Sequence, residues 1–154
     1  MNYTIRKLDA ESFICIAELR GYAKDDEDFI ERYNRVVDKK DDCYAVFVND
    51  ECIADVTLTY VSSDKAAAEE NIRAYMSGLL VKENYRNKKI ATALIMHLTE
   101  ELKEKGYKEL SVLSDTDNVV ACKLYNRLGF RKENTYNVED MSFDLLVYGI
   151  YRAL

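Results

Sequence analysis

Between Leu79 and Lys105 the chain passes from an apolar run, through a basic turn, into the clearest helical pattern it contains. Ala91, Leu94, Ile95, Leu98 and Leu102 share one face of that pattern, Glu101 and Lys105 stand four apart on it, and Gly106 supplies the stop. The run before the turn, Ile72 to Val81, reads as a long strand interrupted by Gly78, and a glycine inside a strand marks a bulge or a close backbone approach. Glu109 to Leu113 follows the helix as a second, shorter strand. Strand, helix, strand in succession implies a parallel pair, which narrows the fold class to α/β.

The flanks add antiparallel neighbours. Cys43 to Val48 and Cys52 to Val61 are β-branched and aromatic runs separated by Asn49-Asp50-Glu51, the pattern of a hairpin. Tyr3 to Leu8 alternates as a first strand, while Phe130 to Tyr136 and Met141 to Tyr148 close the chain as two last strands. Helices are expected over Ala10 to Arg20, over Asp26 to Val37 with acidic residues at its start, and over Val119 to Leu128. The last is capped by Asp117 or Asn118 and ended by Gly129, with Phe130 closing the terminus. Ser62 to Glu70 is a polar loop or helical turn. The sum is a mixed sheet of about six or seven strands, mostly antiparallel, flanked by about four helices.

A length of 154 residues predicts one domain, 1–154, able to bury a core without disulfides or a structural metal. The net charge of −6 argues against a nucleic-acid partner, since phosphate binding requires clustered basic residues. No apolar stretch is long enough for a signal peptide or a membrane span, so the expected setting is cytoplasmic, with no membrane partner. Cys15, Cys43, Cys52 and Cys122 are widely spaced, with only His97 as a nitrogen ligand, and predict reduced thiols and no metal. The last strand and the tail Gly149 to Leu154 offer an edge that could pair with a second subunit as a homodimer, and an isolated edge would read the same.

The basic turn Arg86-Asn87-Lys88-Lys89 opens the helix that begins at Ile90, Ala91 and Thr92. The first N–H groups of a helix have no internal partner and lie at the positive end of its dipole, so a diphosphate there is stabilised before any side chain contributes. Arg86, Lys88 and Lys89 would reinforce it. Neither the G-x-x-x-x-G-K-[ST] loop of nucleotide triphosphatases nor the G-x-G-x-x-G dinucleotide fingerprint is present, so a different phosphate ligand is required.

At these residues the chain resembles the GNAT superfamily of acyl-CoA N-acyltransferases. The family's [Arg/Gln]-x-x-Gly-x-[Gly/Ala] pyrophosphate motif is matched by Arg86-Asn-Lys-Lys89-Ile-Ala91, and its N-x-x-A-x-x-L-Y-x-x-x-G-F helix by Asn118 to Phe130. The likeness is strong from Ser77 to Phe130. One departure stands out: the family's central glycine is Lys89 here, which places a Cβ where the backbone usually approaches the pyrophosphate.

The resemblance implies a GNAT-like fold whose parallel pair splays, with the free backbone groups of Leu79, Leu80 and Val81 binding the pantetheine arm of acetyl-CoA. It places Asn118 at the cofactor or its acyl end and Tyr125 beside the thioester sulfur, while the acceptor amine attacks the thioester carbonyl directly. An amine with a pKa of about 10.4 requires about 4 to 5 kcal/mol for deprotonation at pH 7, so a base or proton path is needed. Proton donation from tyrosine to a thiolate of pKa about 8.5 is uphill by about 2 kcal/mol, so the role expected of Tyr125 is hydrogen bonding to the sulfur. No base is assigned: Asp55, Glu31 and Glu83 read as surface carboxylates and His97 as structural.

The function implied is acetyl or short-acyl transfer from acetyl-CoA to a primary amine of a small molecule, peptide or protein. A non-catalytic acyl-CoA-binding regulatory module is the alternative. A tRNA-modifying toxin of the same fold is disfavoured by the acidic balance.

Overall fold

The computed structural model describes residues 1–150. The tail proposed above as a dimer edge lies partly outside them, at residues 151–154. Among the described residues, seven strands form one sheet in the order β1-β2-β3-β4-β5-β7-β6, and four α-helices accompany them. In chain order these are β1 (Thr4–Lys7), α1 (Cys15–Arg20), α2 (Glu27–Val37), β2 (Asp41–Val48), β3 (Glu51–Thr59), β4 (Arg73–Val81), α3 (Ile90–Glu104), β5 (Glu109–Asp115), α4 (Val119–Leu128), β6 (Arg131–Val138) and β7 (Met141–Gly149). The β4–β5 pair is parallel, as the strand, helix, strand succession requires.

Two compact units are distinguished. The first comprises Met1–Thr59 with Gly78–His97, the second Tyr60–Ser77 with the chain from Leu98 onward; β4 and α3 contribute residues to both.

In the first unit, β2 and β3 form a hairpin whose loop is Asn49 and Asp50, with Val48 opposite Glu51. Both loop residues have positive φ, 49° and 67°, the conformation that a two-residue hairpin turn needs and that Asn and Asp tolerate. α2 starts where its sequence says it should: the Asp26 side chain accepts from the N–H of Asp28, and Glu27 and Asp28 occupy the first turn. The helix expected over Ala10 to Arg20 is shorter and begins as a 3₁₀ turn, Ser12–Ile14. There Asp9 and Ser12 exchange hydrogen bonds, 2.9 Å from Asp9 N to Ser12 Oγ and 2.8 Å from Ser12 N to Asp9 Oδ1. Phe13, Ile16 and Phe29 pack with Cys43, Ala45 and Phe47 of β2 into one apolar cluster.

In the second unit, β5 is buried between β4 and β7, and β6 lies at the edge with charged and polar side chains exposed, a composition that discourages edge pairing. The choice between Asp117 and Asn118 as the cap of α4 falls to Asn118, whose Oδ1 accepts from the N–H of Ala121 at 3.1 Å. Gly129 follows at φ 102°, and the N–H of Phe130 returns to the carbonyl of Tyr125 at 3.0 Å, as a glycine helix stop requires. No helix among the described residues is long and apolar enough to cross a membrane.

Candidate functional site

The turn between β4 and α3 is built from local sequence. Lys82 N–H donates to the carbonyl of Ile53 at 2.8 Å, ending β4, and a 3₁₀ turn over Glu83–Tyr85 reverses the chain. Arg86 then folds back, its Nε donating to the carbonyl of Val81 at 2.9 Å, while Asn87, Lys88 and Lys89 are exposed. The first bond inside α3 joins the N–H of Ala93 to the carbonyl of Lys89 at 3.1 Å, so the N–H groups of Ile90, Ala91 and Thr92 belong to the helix end that has no internal acceptors. Three cationic side chains and a helix N-terminus are thereby brought to one short segment, an arrangement suited to a diphosphate.

Lys89 answers the question its sequence position raised. Its φ is 65°, and Asn87 has φ 61°. The backbone keeps the left-handed conformation a glycine adopts freely, at a cost of about 1 kcal/mol or more for a residue with a Cβ. Lys89→Gly is therefore expected to be at least as stable as the parent in chemical denaturation, even though glycine ordinarily costs about 0.4–1 kcal/mol through the unfolded chain. A loss above about 1 kcal/mol would show that the Lys89 side chain stabilises the turn itself.

The register of β4 with β5 runs from Arg73 opposite Glu109 to Met76 opposite Val112, and Ser77–Val81 extend beyond it. Gly78 stands at that point with φ 64°, and its carbonyl accepts a hydrogen bond from Arg20 Nη2.

Tyr125, in the second unit, is buried on α4, its ring 5.3 Å from that of Phe130. Burial first, then Cys122 and Tyr75, push its hydroxyl up to about 12. It is thus a neutral O–H group throughout the physiological range. Asn118 has its oxygen engaged in the helix cap, which leaves its amide N–H groups for any other contact.

Asp55 is a correction. It reads from sequence as a surface carboxylate, yet it is fully buried in β3. Arg20 Nε reaches its Oδ1 at 3.0 Å and Arg20 Nη2 the same oxygen at 2.6 Å, while Arg32 Nη2 reaches Oδ2 at 2.9 Å. The Cys43 thiol, pushed up to about 12 by burial and then by Asp55, donates to Oδ2 at 3.9 Å. A carboxylate held this way has no open face for a substrate proton, which removes Asp55 from the candidate bases. Glu31 and Glu83 are exposed. His97 packs its ring edge-on against Tyr44 with centroids 5.5 Å apart. The ion cluster was missed because its members are distant in sequence; the available signal was a lone carboxylate inside the apolar run Ile53-Ala54-Asp55-Val56.

A separate cavity of about 370 Å³ lies on the first helices of the first unit, lined by Ile14, Phe29, Ile30 and Tyr33 with Glu11 and Lys24 at its polar edge. None of the turn residues lines it.

The acetyltransferase (GNAT) family model matches residues 3–130. The chain belongs to this family. Its sequence is 31% identical over 81 residues to N-alpha-acetyltransferase 30 of Schizosaccharomyces pombe, covering 52% of this chain and 54% of that protein. The chain spans about half the length of the curated relatives it matches. Among solved structures, the ribosomal-protein-S18-alanine N-acetyltransferase of Escherichia coli superposes with a TM-score of 0.78 at 18% identity, covering 99% of this chain and 96% of that one. An aminoglycoside 6'-N-acetyltransferase complexed with coenzyme A gives 0.77 at 13% identity, over 98% and 99% of the two chains. At these identities the structural likeness establishes the fold, which is the mixed sheet with one parallel pair expected of a GNAT protein.

Proposed function

We propose that this GNAT protein is a single-domain N-acetyltransferase that moves the acetyl group of acetyl-CoA to a primary amine, by direct attack in a ternary complex. The observation that carries the reading is the β4–α3 turn: Arg86 folded onto Val81, two left-handed residues, and the open N-terminus of α3. Arg86, Asn87, Lys88, Lys89, Ile90, Ala91 and Thr92 would hold the pyrophosphate through backbone N–H groups and charge. Leu79, Leu80 and Val81, beyond the β5 register, would bind the pantetheine arm with their backbone. The coenzyme A complex of a structural neighbour supports this choice of cofactor.

Tyr125 is proposed to donate a hydrogen bond to the sulfur as the thiolate develops, and the amide of Asn118 to contact the acyl end of the cofactor. Donation of the proton itself from a group at about 12 to a thiol of pKa about 8.5 would be uphill by about 5 kcal/mol, so the thiolate is better protonated by solvent. The relatives named as N-alpha-acetyltransferases favour a peptide or protein N-terminus as the acceptor. Such an amine has a pKa of about 7.7–8.0, so its deprotonation at pH 7 requires only about 1 kcal/mol, against 4 to 5 for a lysine-like amine. The lack of an evident base is then a smaller obstacle. A cytoplasmic setting fits this acceptor.

The test is isothermal titration with acetyl-CoA and with CoA, followed by thiol release against a panel of amines. Micromolar binding is expected, weakened about tenfold or more in Arg86→Ala through loss of a charge-assisted contact. Lys89 in the glycine position favours a second reading, a non-catalytic acyl-CoA-binding module. Binding without thiol release from any amine, N-terminal peptides included, would select it; no binding would remove both.

A further inference from the structure

Arg20, Arg32 and Asp55 place two positive charges against one negative in the first unit. Asp55 is fully buried, and the side chains of the two arginines are only 18% and 21% exposed. One guanidinium would neutralise the carboxylate, so the cluster carries one net positive charge that is partly desolvated; burial works against the charge of Arg32, but contact with Asp55 outweighs it and keeps Arg32 charged. Donor capacity is also in excess. Arg32 gives Nη2 to Asp55 and, at 3.0 Å, to Thr57 Oγ1, while its Nη1 is buried without a hydrogen-bond partner among the described residues. Cys43 stays a neutral thiol and supplies no balancing charge.

The position of the cluster gives the excess charge a use. Arg20 donates to the carbonyl of Gly78, the residue immediately before Leu79. With the pyrophosphate at the start of α3 and the pantetheine arm along Val81, Leu80 and Leu79, as proposed above, the acyl end of the cofactor points back toward Gly78. On that reading the Arg20 guanidinium, bonded to the Gly78 carbonyl, stands beside the acyl end.

Resting on that reading, we propose that the acceptor carries a carboxylate close to its amine, and that Arg20 and Arg32 receive it beside Asp55 and so hold the amine at the thioester. The chain's net charge of −6 does not oppose this, because charges more than about 8 Å away are screened at physiological salt while the two guanidiniums act at contact.

The experiment titrates the CoA-saturated protein with two matched pairs at pH 7: tripeptide amides opening with glutamate or glutamine, and free alanine against alaninamide. The first pair reports a side-chain carboxylate on a peptide terminus, the second the carboxylate of a free amino acid. The expected result is at least about tenfold tighter binding of the carboxylate member in one pair, the size of one charged hydrogen bond. In Arg32→Gln that ratio falls to within about twofold, and Arg32→Lys retains part of it. Arg20→Gln serves if Arg32→Gln fails to fold. Equal affinities in both pairs, or a preference that survives both glutamine variants, would overturn the proposal. Acetyl transfer to the same probes separates this proposal from the reading beneath it: transfer without carboxylate preference removes only the anion site, while carboxylate-selective binding with no transfer to any amine removes only the catalytic reading.

Discussion

Asp55→Asn is expected to lose about 3 kcal/mol of folding free energy, the largest effect of any single substitution proposed for this chain. The side chain keeps its shape but loses its charge, so Arg20 and Arg32 face each other across a neutral amide whose N–H groups point donors at donors. Buried pairs broken on one side typically cost about 3–5 kcal/mol, and the lower figure applies because both guanidiniums retain some access to water. The loss should be read by urea denaturation with the slope unchanged. Adding Arg32→Gln to Asp55→Asn should recover part of it, since the second change removes one of the unpaired charges. A loss below about 1 kcal/mol would mean that both guanidiniums swing out to solvent, and the cluster would then be a weak surface feature.

Tyr125→Phe is expected to lower kcat about a hundredfold while leaving stability within about 1 kcal/mol. The two readouts separate the two things a buried tyrosine can be. Its ring packs against Phe130, and Phe130 in turn against Tyr148 at 5.4 Å; phenylalanine keeps that packing. Only the O–H is lost, and under the role proposed for Tyr125 the thioester sulfur loses its donor. The pH dependence follows from the direction of its shift. The hydroxyl is raised to about 12 in the folded protein against about 10 in the unfolded chain, so its contribution to stability is complete below about pH 10 and is lost as pH rises toward 12. Turnover should therefore show no ionisation of Tyr125 below about pH 10. Unchanged kcat in Tyr125→Phe, with chemistry rate-limiting, would leave Tyr125 as core packing alone.

Much of the site region was readable because its logic is local. The β4–α3 turn, the caps of α2 and α4 and the β2–β3 loop each depend on residues within a few positions of one another, and each formed close to where its sequence puts it. The helix expected from Ala10 was the exception: the Asp9–Ser12 exchange gave the backbone a competing turn, and α1 starts only at Cys15. Gly78 was legible as an irregularity in β4, but not as the acceptor for Arg20.

By itself, the sequence determined the class of fold, the parallel pair and the basic turn that opens α3, because hydrophobic period, glycine stops and capping residues act over one or two helical turns. Tertiary structure alone decided the fate of Asp55. Its partners lie 35 and 23 residues away, and no local pattern shows that a carboxylate on β3 will be sealed from water by arginines from two helices. The raised hydroxyl of Tyr125 was decided the same way, since desolvation depends on what packs around a side chain and not on which residues precede it.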